Sequence, residues 1–569
     1  MRTRIGRPTW ATLAALLALV LSASSCRVDS DNATPSREAP SPLSNDINPV
    51  PRAQLPDGGT LRWPVRSVPA NFNIHAFDGP GISNGAVIGA LMPSVFAFDA
   101  AGRPILRSEY VELAELSATA PEQIVTYRIN PRATWSDGTP ITVADFEAQW
   151  RALNGTDPAY RVATTQGYDK IERVAQGRDD REVVVTFAEP YVDWRALFNP
   201  LYPASTTADP RVFNDGWRDR PLLTAGPFTF ESIDQTAKSI ILVRNARWWG
   251  EPAKLERIVY RAMDSDAQID ALANDEIDFA NIGSNVDNLR RAEATPGISV
   301  REASAPNYVH ITMNGASEVL QDVRVRRALA MGIDRGAIAQ ALLGPLGVPL
   351  TPLGNHILMA DQAGYQDNSG DIGSYLPERA RALLDEAGWR LDGTNRAKDG
   401  RDLVLRYVIR AQVAEDRQVA ELVRGMLDDL GVEVQIEAVP FERFFEGYIE
   451  QGNFDLTTFE WYGSVFPLSA AKAIYGDVTP GSPLGVRLNY ARIGSPEIDQ
   501  LFDRATAEFD PTTAIEIAND IDEMIWLQVH SLPLYQRPAI VATKSHLANF
   551  GAFGSATIAY EDIGFTERS

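Results

Sequence analysis

The chain has a single cysteine, Cys26, and it stands directly behind a targeting segment. Arg2, Arg4 and Arg7 form a positive start. "ATLAALLALVL" (11–21) is an apolar run too short to span a bilayer comfortably, and the small residues "SASS" lead to the cysteine. A body exported behind this segment carries no internal disulfide and must be held by apolar cores alone. At 569 residues the chain exceeds the size at which one core keeps growing, so several domains are expected.

A lone cysteine after a small-residue cleavage site resembles the lipobox of bacterial lipoproteins, with Ala23 where leucine is usual. The resemblance implies a signal peptide over 1–25, lipidation of Cys26, and an anchor on the extracytoplasmic face of the cell membrane. Residues 26–56, rich in Pro, Ser, Asn and Asp, read as a flexible tether. The formal charge of −22 argues against nucleic acid as a partner. The apolar and charged fractions, 44% and 22%, are those of an ordinary globular chain.

Strands and helices mix along the body without a fixed repeat. "GGTLRWPV" (58–65), "EQIVTYRI" (122–129) and "REVVVTF" (181–187) alternate as strands. "TVADFEAQWRAL" (142–153) opens with the capping-box pair Thr142 and Asp145. Asp322 and Asp334 stand at N-cap positions of two short helices, with Gly344 at a C-cap. "DLVLRYVI" (402–409), a helix over 417–431 and "VEVQIEAV" (432–439) suggest a strand–helix–strand unit in a mixed sheet. Further helices are expected over 377–388, 495–508 and 513–528.

Motifs for chemistry are missing. His75, His310, His356, His530 and His546 are scattered, with no metal-ligand spacing. There is no GxSxG, P-loop or GxGxxG. No catalytic residue, metal or cofactor is expected, and each histidine reads as a structural or pocket residue.

Several segments resemble the oligopeptide- and dipeptide-binding proteins of bacterial ABC importers, extracytoplasmic solute-binding protein family 5. They are "YRINPRATWSDGTPITVADFEAQW" (127–150), "TAGPFTF" (224–230), "LVRNARWWG" (242–250) and "HITMNGASEVLQDVRVRRALAMGIDRGAIAQALLG" (310–344), in the family's order. The resemblance runs from about residue 58 to 540. It implies an α/β, two-lobed periplasmic-binding-protein-like fold with mixed sheets, an extra inserted domain and a cleft between the lobes. Lobe I would comprise 57–93, 216–306 and 536–569, the inserted domain 94–215, and lobe II 307–535. "PNYVHITMN" (306–314) and "HSLPLYQRP" (530–538) would cross between the lobes as a hinge. The implied partners are a small solute (a peptide, or another polar or glycosylated ligand) and ABC permease subunits, with the chain a monomer. A non-transport envelope lipoprotein of the same fold, for ligand sensing or glycolipid assembly, is the alternative.

The resemblance also locates a pocket at "FDLTTFEWYGSVFP" (454–467). Peptide binders of the family carry Trp-x-x-Asp there, and the Asp pairs with the ligand's α-amino group. Here the stretch is Trp461-Tyr462-Gly463-Ser464, so a hydroxyl replaces the carboxylate. A serine suits a neutral polar group better than a buried ammonium. Glu460 is the nearest acid, but in a strand it faces away from Trp461. The expected ligand-binding residues are Trp461, Tyr462, Gly463, Ser464, Phe459 and Phe466, with Asn73, His75 and Asn314 as further candidates.

Overall fold

The computed structural model describes residues 45–477 and 488–567. The signal segment, Cys26 and most of the tether lie outside the described residues. The tether's last part runs along the body instead of standing off it. Asp46 bridges Ala552, the Asn48 amide donates to the Leu547 carbonyl at 2.8 Å, and Arg301 pairs with Asp46 at 2.8 Å.

The elements that position the cleft begin with β1 (Thr60–Val65), β2 (Val111–Ala118), β3 (Gln123–Ile129), α1 (Val143–Leu153), β4 (Ile171–Gln176) and β5 (Glu182–Phe187). Next come β6 (Phe228–Asp234), β7 (Ser239–Arg244), β8 (Arg257–Ala262), β9 (Phe279–Asn281) and the long β10 (Ile298–Met313). The second half holds α2 (Val323–Gly332), α3 (Arg335–Leu343), β11 (Val404–Arg410), α4 (Ala414–Asp428), β12 (Glu433–Val439) and β13 (Leu456–Trp461). The last are α5 (Pro467–Tyr475), α6 (Pro496–Ala507), α7 (Pro511–Gln528) and β14 (Ser531–Lys544).

Three sheets carry the architecture. One is four-stranded in the order β1-β8-β7-β6, a second is four-stranded in the order β2-β3-β5-β4, and the third runs β9-β14-β10-β13-β11-β12. The first two share one apolar core, in which Trp63, Tyr127, Phe146 and Trp217 are buried. A separate core lies under the six-stranded sheet, with Leu329, Tyr407, Leu456 and Tyr535 at its centre. Burial of these aromatic and aliphatic side chains supplies the driving force that disulfides do not.

Local chemistry accounts for the elements. The Asp145 carboxylate accepts the Thr142 backbone N–H at 2.8 Å, closing the expected capping box of α1. Asp322 and Asp334 accept N–H groups in the first turns of α2 and α3. β11, α4 and β12 form the expected unit, with the two strands parallel. Gly344 is the C-cap of α3, as expected, in the right-handed conformation. Its φ is −52°, the chain continues into a short tight turn, and Gly347 takes the left-handed conformation at φ 73°.

β10 and β14 extend well beyond the hinge stretches read from sequence. They pair antiparallel nearly end to end, but the register shifts between Ser304 and Tyr308. The shift surrounds Pro306, which has no N–H to give the ladder. It faces the tip of β13.

Candidate ligand-binding cleft

β13 reads "LTTFEW" and sits in the middle of the six-stranded sheet, where β-branched and aromatic side chains pack well. Its side chains alternate. Phe459 is 1% exposed and fills a small core with Val408, Phe444 and Phe454. Trp461 is half-buried. Its ring lies nearly parallel to those of His310 (5.8 Å, 11°) and Tyr490 (5.7 Å, 7°), with Phe459 edge-on at 5.1 Å. Trp461 is therefore both part of a ring stack and part of a wall.

Beyond Trp461 the chain turns at Gly463 into α5. A Cβ at Gly463 would fall 2.0 Å from the Pro306 carbonyl oxygen, so the close approach of the β13 tip to the β10 bulge requires glycine. Ser464 Oγ accepts the Phe466 N–H at 3.0 Å, tying the turn that starts α5. Between these parts lies a narrow recess of about 30 Å³. Trp461, Tyr462, Gly463 and Ser464 form one side, Pro306 and Tyr308 another, and the α5 residues Ala470, Ala471 and Ile474 a third. His356 and Met359 form part of its lining. The walls are mainly apolar with few polar groups, the usual makeup of a small-molecule site.

Polar layers flank the recess. Tyr308 and Tyr475 hydroxyls meet at 2.6 Å, and His356 Nδ1–H donates to the fully buried Asp522 carboxylate at 2.7 Å. On the opposite face of β13, Glu460 pairs with Arg537 of β14. The same guanidinium reaches Glu415 at 3.2 Å, and Tyr535 donates to Glu415 at 2.7 Å. Arg410 grips Asp416 through two bonds of 2.7 Å. Glu460 is thus committed within the protein and faces away from Trp461. Tyr462 is 53% exposed, and its partial burial, followed by the Glu460 charge, pushes its pKa up to about 12.

The other residues singled out in the sequence lie elsewhere. Phe459 is behind Trp461, and Phe466 packs edge-on against Phe98 at 5.4 Å. Asn73 donates to the Phe213 carbonyl at 2.9 Å and accepts the His75 N–H at 3.1 Å. His75 Nε2 meets the Pro200 carbonyl at 3.0 Å, and burial holds its pKa down at about 4. Asn314 donates to the Gly452 and Phe454 carbonyls, at 3.1 and 2.8 Å, and so shapes the loop before β13. None of these five lines the recess, and the polar groups of the last three are spent on backbone. Among the described residues no group of three or more His, Cys, Asp or Glu side chains could hold a metal ion.

The sequence reading missed Tyr308, His356 and the inner face of α5. The signal for α5 was present: Pro467 opens "PLSAAKAIY", and Ala471, Ile474 and Tyr475 follow at helical spacing. It also missed the far rim. There Ser469 of α5 donates to Asp193 at 2.5 Å, with the Tyr191 hydroxyl 3.1 Å away, and the Val192 N–H donates to the Thr506 carbonyl of α6 at 2.8 Å.

A mixed-sheet body in which two long paired strands connect separate cores, with a recess at the strand ends beside the register shift, has the two-lobed binding-protein fold. Residues 110–479 match the family model described as bacterial extracellular solute-binding proteins, family 5 Middle. The chain is 43% identical over 539 residues to the oligopeptide-binding protein OppA of Mycobacterium bovis, covering 94% of this chain and 89% of that protein. It is 28% identical over 405 residues to a probable monoacyl phosphatidylinositol tetramannoside-binding protein, LpqW, of Mycobacterium tuberculosis, covering 68% of this chain and 59% of that one. The structure of a periplasmic EDTA-binding protein, EppA, superposes with a TM-score of 0.84 at 27% identity, over 92% of this chain and 98% of its own. The chain belongs to bacterial extracellular solute-binding protein family 5.

Proposed function

We propose that the chain is the solute receptor of an ABC importer, tethered to the outer face of the cytoplasmic membrane through a lipid on Cys26. It captures a peptide or peptide-like solute by closing its lobes and hands it to the permease, with no covalent chemistry. The lobes are those read from sequence, with β10 and β14 as the hinge. The observation that carries this reading is the recess at the tip of β13, set in a chain 43% identical along almost its whole length to an oligopeptide-binding protein. Trp461, Tyr462 and Ser464 contact the ligand. Ser464 offers a hydroxyl where peptide binders keep a carboxylate, and Glu460 is held by Arg537. The ligand's amino end therefore meets no free carboxylate at the recess.

The likeness to a glycolipid-binding relative supports a second reading, an envelope lipoprotein for glycolipid handling. Native mass spectrometry of the protein mixed with a randomised tetrapeptide pool separates the two. Retained peptides, with N-acetylated members held as well as free ones, are the expected result. A protein that retains no peptide but carries a co-purified glycolipid overturns the peptide reading.

A further inference from the structure

We propose that the recess takes a small acylamino group, such as an N-acetyl cap, where a carboxylate would hold a free ammonium. The inference rests on the reading of the recess as the ligand contact, and it follows from the hydrogen-bonding capacity left in the side chains that line it. Ser464 Oγ already accepts the Phe466 N–H at 3.0 Å, and its O–H has no partner among the described residues. Gln362 is used in the same sense. Its Oε1 accepts the Met359 N–H at 2.9 Å, and its Nε2 is left to donate. The Trp461 indole N–H is a donor only, and it too lacks a protein partner among the described residues.

The other polar side chains of the lining are engaged. The Tyr308 hydroxyl meets that of Tyr475 at 2.6 Å. Both ring nitrogens of His356 face acceptors, Asp522 at 2.7 Å and the Ser531 carbonyl at 3.2 Å. Among the described residues no carboxylate lines the recess, and the half-exposed Tyr462 hydroxyl is the one further side-chain group able to accept. An ammonium would add donors to a wall of unmatched donors, and would give up water without gaining an acceptor. A carbonyl oxygen supplies the acceptor that these donors lack. Size agrees with this. The volume of about 30 Å³ is room for roughly two or three water-sized groups, as in the carbonyl and methyl of an acetyl group. Ala470, Ala471 and Ile474 give the methyl an apolar wall. Tolerance of an acetyl cap follows from the missing carboxylate alone, whereas the free donors predict that the cap adds affinity.

Acetamido groups come from two sources, acetylated peptides and acetylated amino sugars, and the test has an arm for each. One randomised tetrapeptide pool is titrated by calorimetry in three forms: free amine, N-acetylated, and desamino, with hydrogen in place of the terminal amino group. The desamino form removes the charge without adding a carbonyl. N,N′-diacetylchitobiose is the sugar probe. The acetylated pool is expected to bind wild type about tenfold more tightly than the desamino pool. Gln362→Glu keeps an oxygen for the Met359 N–H and removes the free donor, so the acetyl advantage is expected to vanish and the free amine to become the tightest form. Ala470→Leu fills the recess and is expected to abolish the same ratio. Equal binding of acetylated and desamino pools by wild type overturns the inference and leaves the peptide reading standing. So does an acetyl advantage that survives in both variants. If no form of the pool binds, the peptide reading fails and the sugar decides. Diacetylchitobiose that binds wild type and is weakened about tenfold by Gln362→Glu upholds the acylamino site, and unchanged or absent sugar binding overturns it.

Discussion

Trp461 shows how one residue serves packing and binding together. Its ring is stacked with His310 and Tyr490, yet it lines the recess. Trp461→Ala is expected to weaken ligand binding by about 1–3 kcal/mol, since a large aromatic face leaves the wall. It also opens a void behind the wall, so stability falls with it. Tyr490→Leu disturbs the same stack from a position outside the recess lining, and serves as the control. Calorimetry showing equal losses for both variants would make Trp461 a packing residue only. The wall was legible only through the family resemblance, because aromatic residues in a strand, taken alone, read as core. The stacking was not, because His310 and Tyr490 lie far from Trp461 in the chain. For the same reason Asn73 and Asn314 looked available. A buried asparagine is read correctly only when its backbone partners are known, and those come from distant segments.

At the level of elements, capping chemistry and alternation carried most of the reading. α1, α2, α3 and the β11–α4–β12 unit follow from residues within a few positions of each end. The extent of β10 and β14 does not, since their pairing is set by each other. These strands also bring together a buried layer of histidines. His310 of β10 is fully buried, and its pKa falls to about 3, first from burial and then from the nearby His356 and Arg410 charges. His530, just before β14, is lowered well below its ordinary value by burial and by His356 and His310. A folded state that refuses a proton the unfolded chain accepts loses stability as pH falls below about 6.5, and continues to lose it until the folded pKa is reached. For His310 that window runs from about 6.5 to about 3, at about 1.4 kcal/mol per pH unit. Between pH 7 and pH 5 its share is about 2 kcal/mol. Urea unfolding at the two pH values should show a smaller drop for His310→Gln than for wild type. An identical drop in the variant would remove His310 from the account. The comparison stays above pH 5 because Asp193 and Asp416, both raised by burial, act in the opposite sense lower down.

On the scale of the whole molecule, a binding protein that closes on its ligand divides the binding free energy between ligand contacts and the contacts its own lobes make on closing. In the proposed receptor the hinge side is set by β10 and β14. The opposite side is held by the segment around Tyr191–Asp193, which reaches α5 and α6. Ser469 is 5% exposed, its hydroxyl donates to Asp193 at 2.5 Å, its carbonyl accepts Gln166, and Val192 is bonded to Thr506. α5 also supplies Ala470, Ala471 and Ile474 to the recess, so the contact that fastens this rim positions one wall of the site. In the proposed lobe motion, opening would break these bonds and return the Asp193 carboxylate to water. Closure removes it from water, a change that is favourable only while Ser469 is there to donate. Ser469→Ala is therefore expected to shift the unliganded protein toward the open form and to lower affinity about 3- to 10-fold, with the bonds to the ligand itself intact. Small-angle scattering without ligand should give a larger radius of gyration for the variant, and saturating ligand should bring the two proteins to the same value. If scattering and affinity are both unchanged, the Asp193–Ser469 contact is permanent packing between neighbouring domains, and closure is driven from the hinge and the ligand alone.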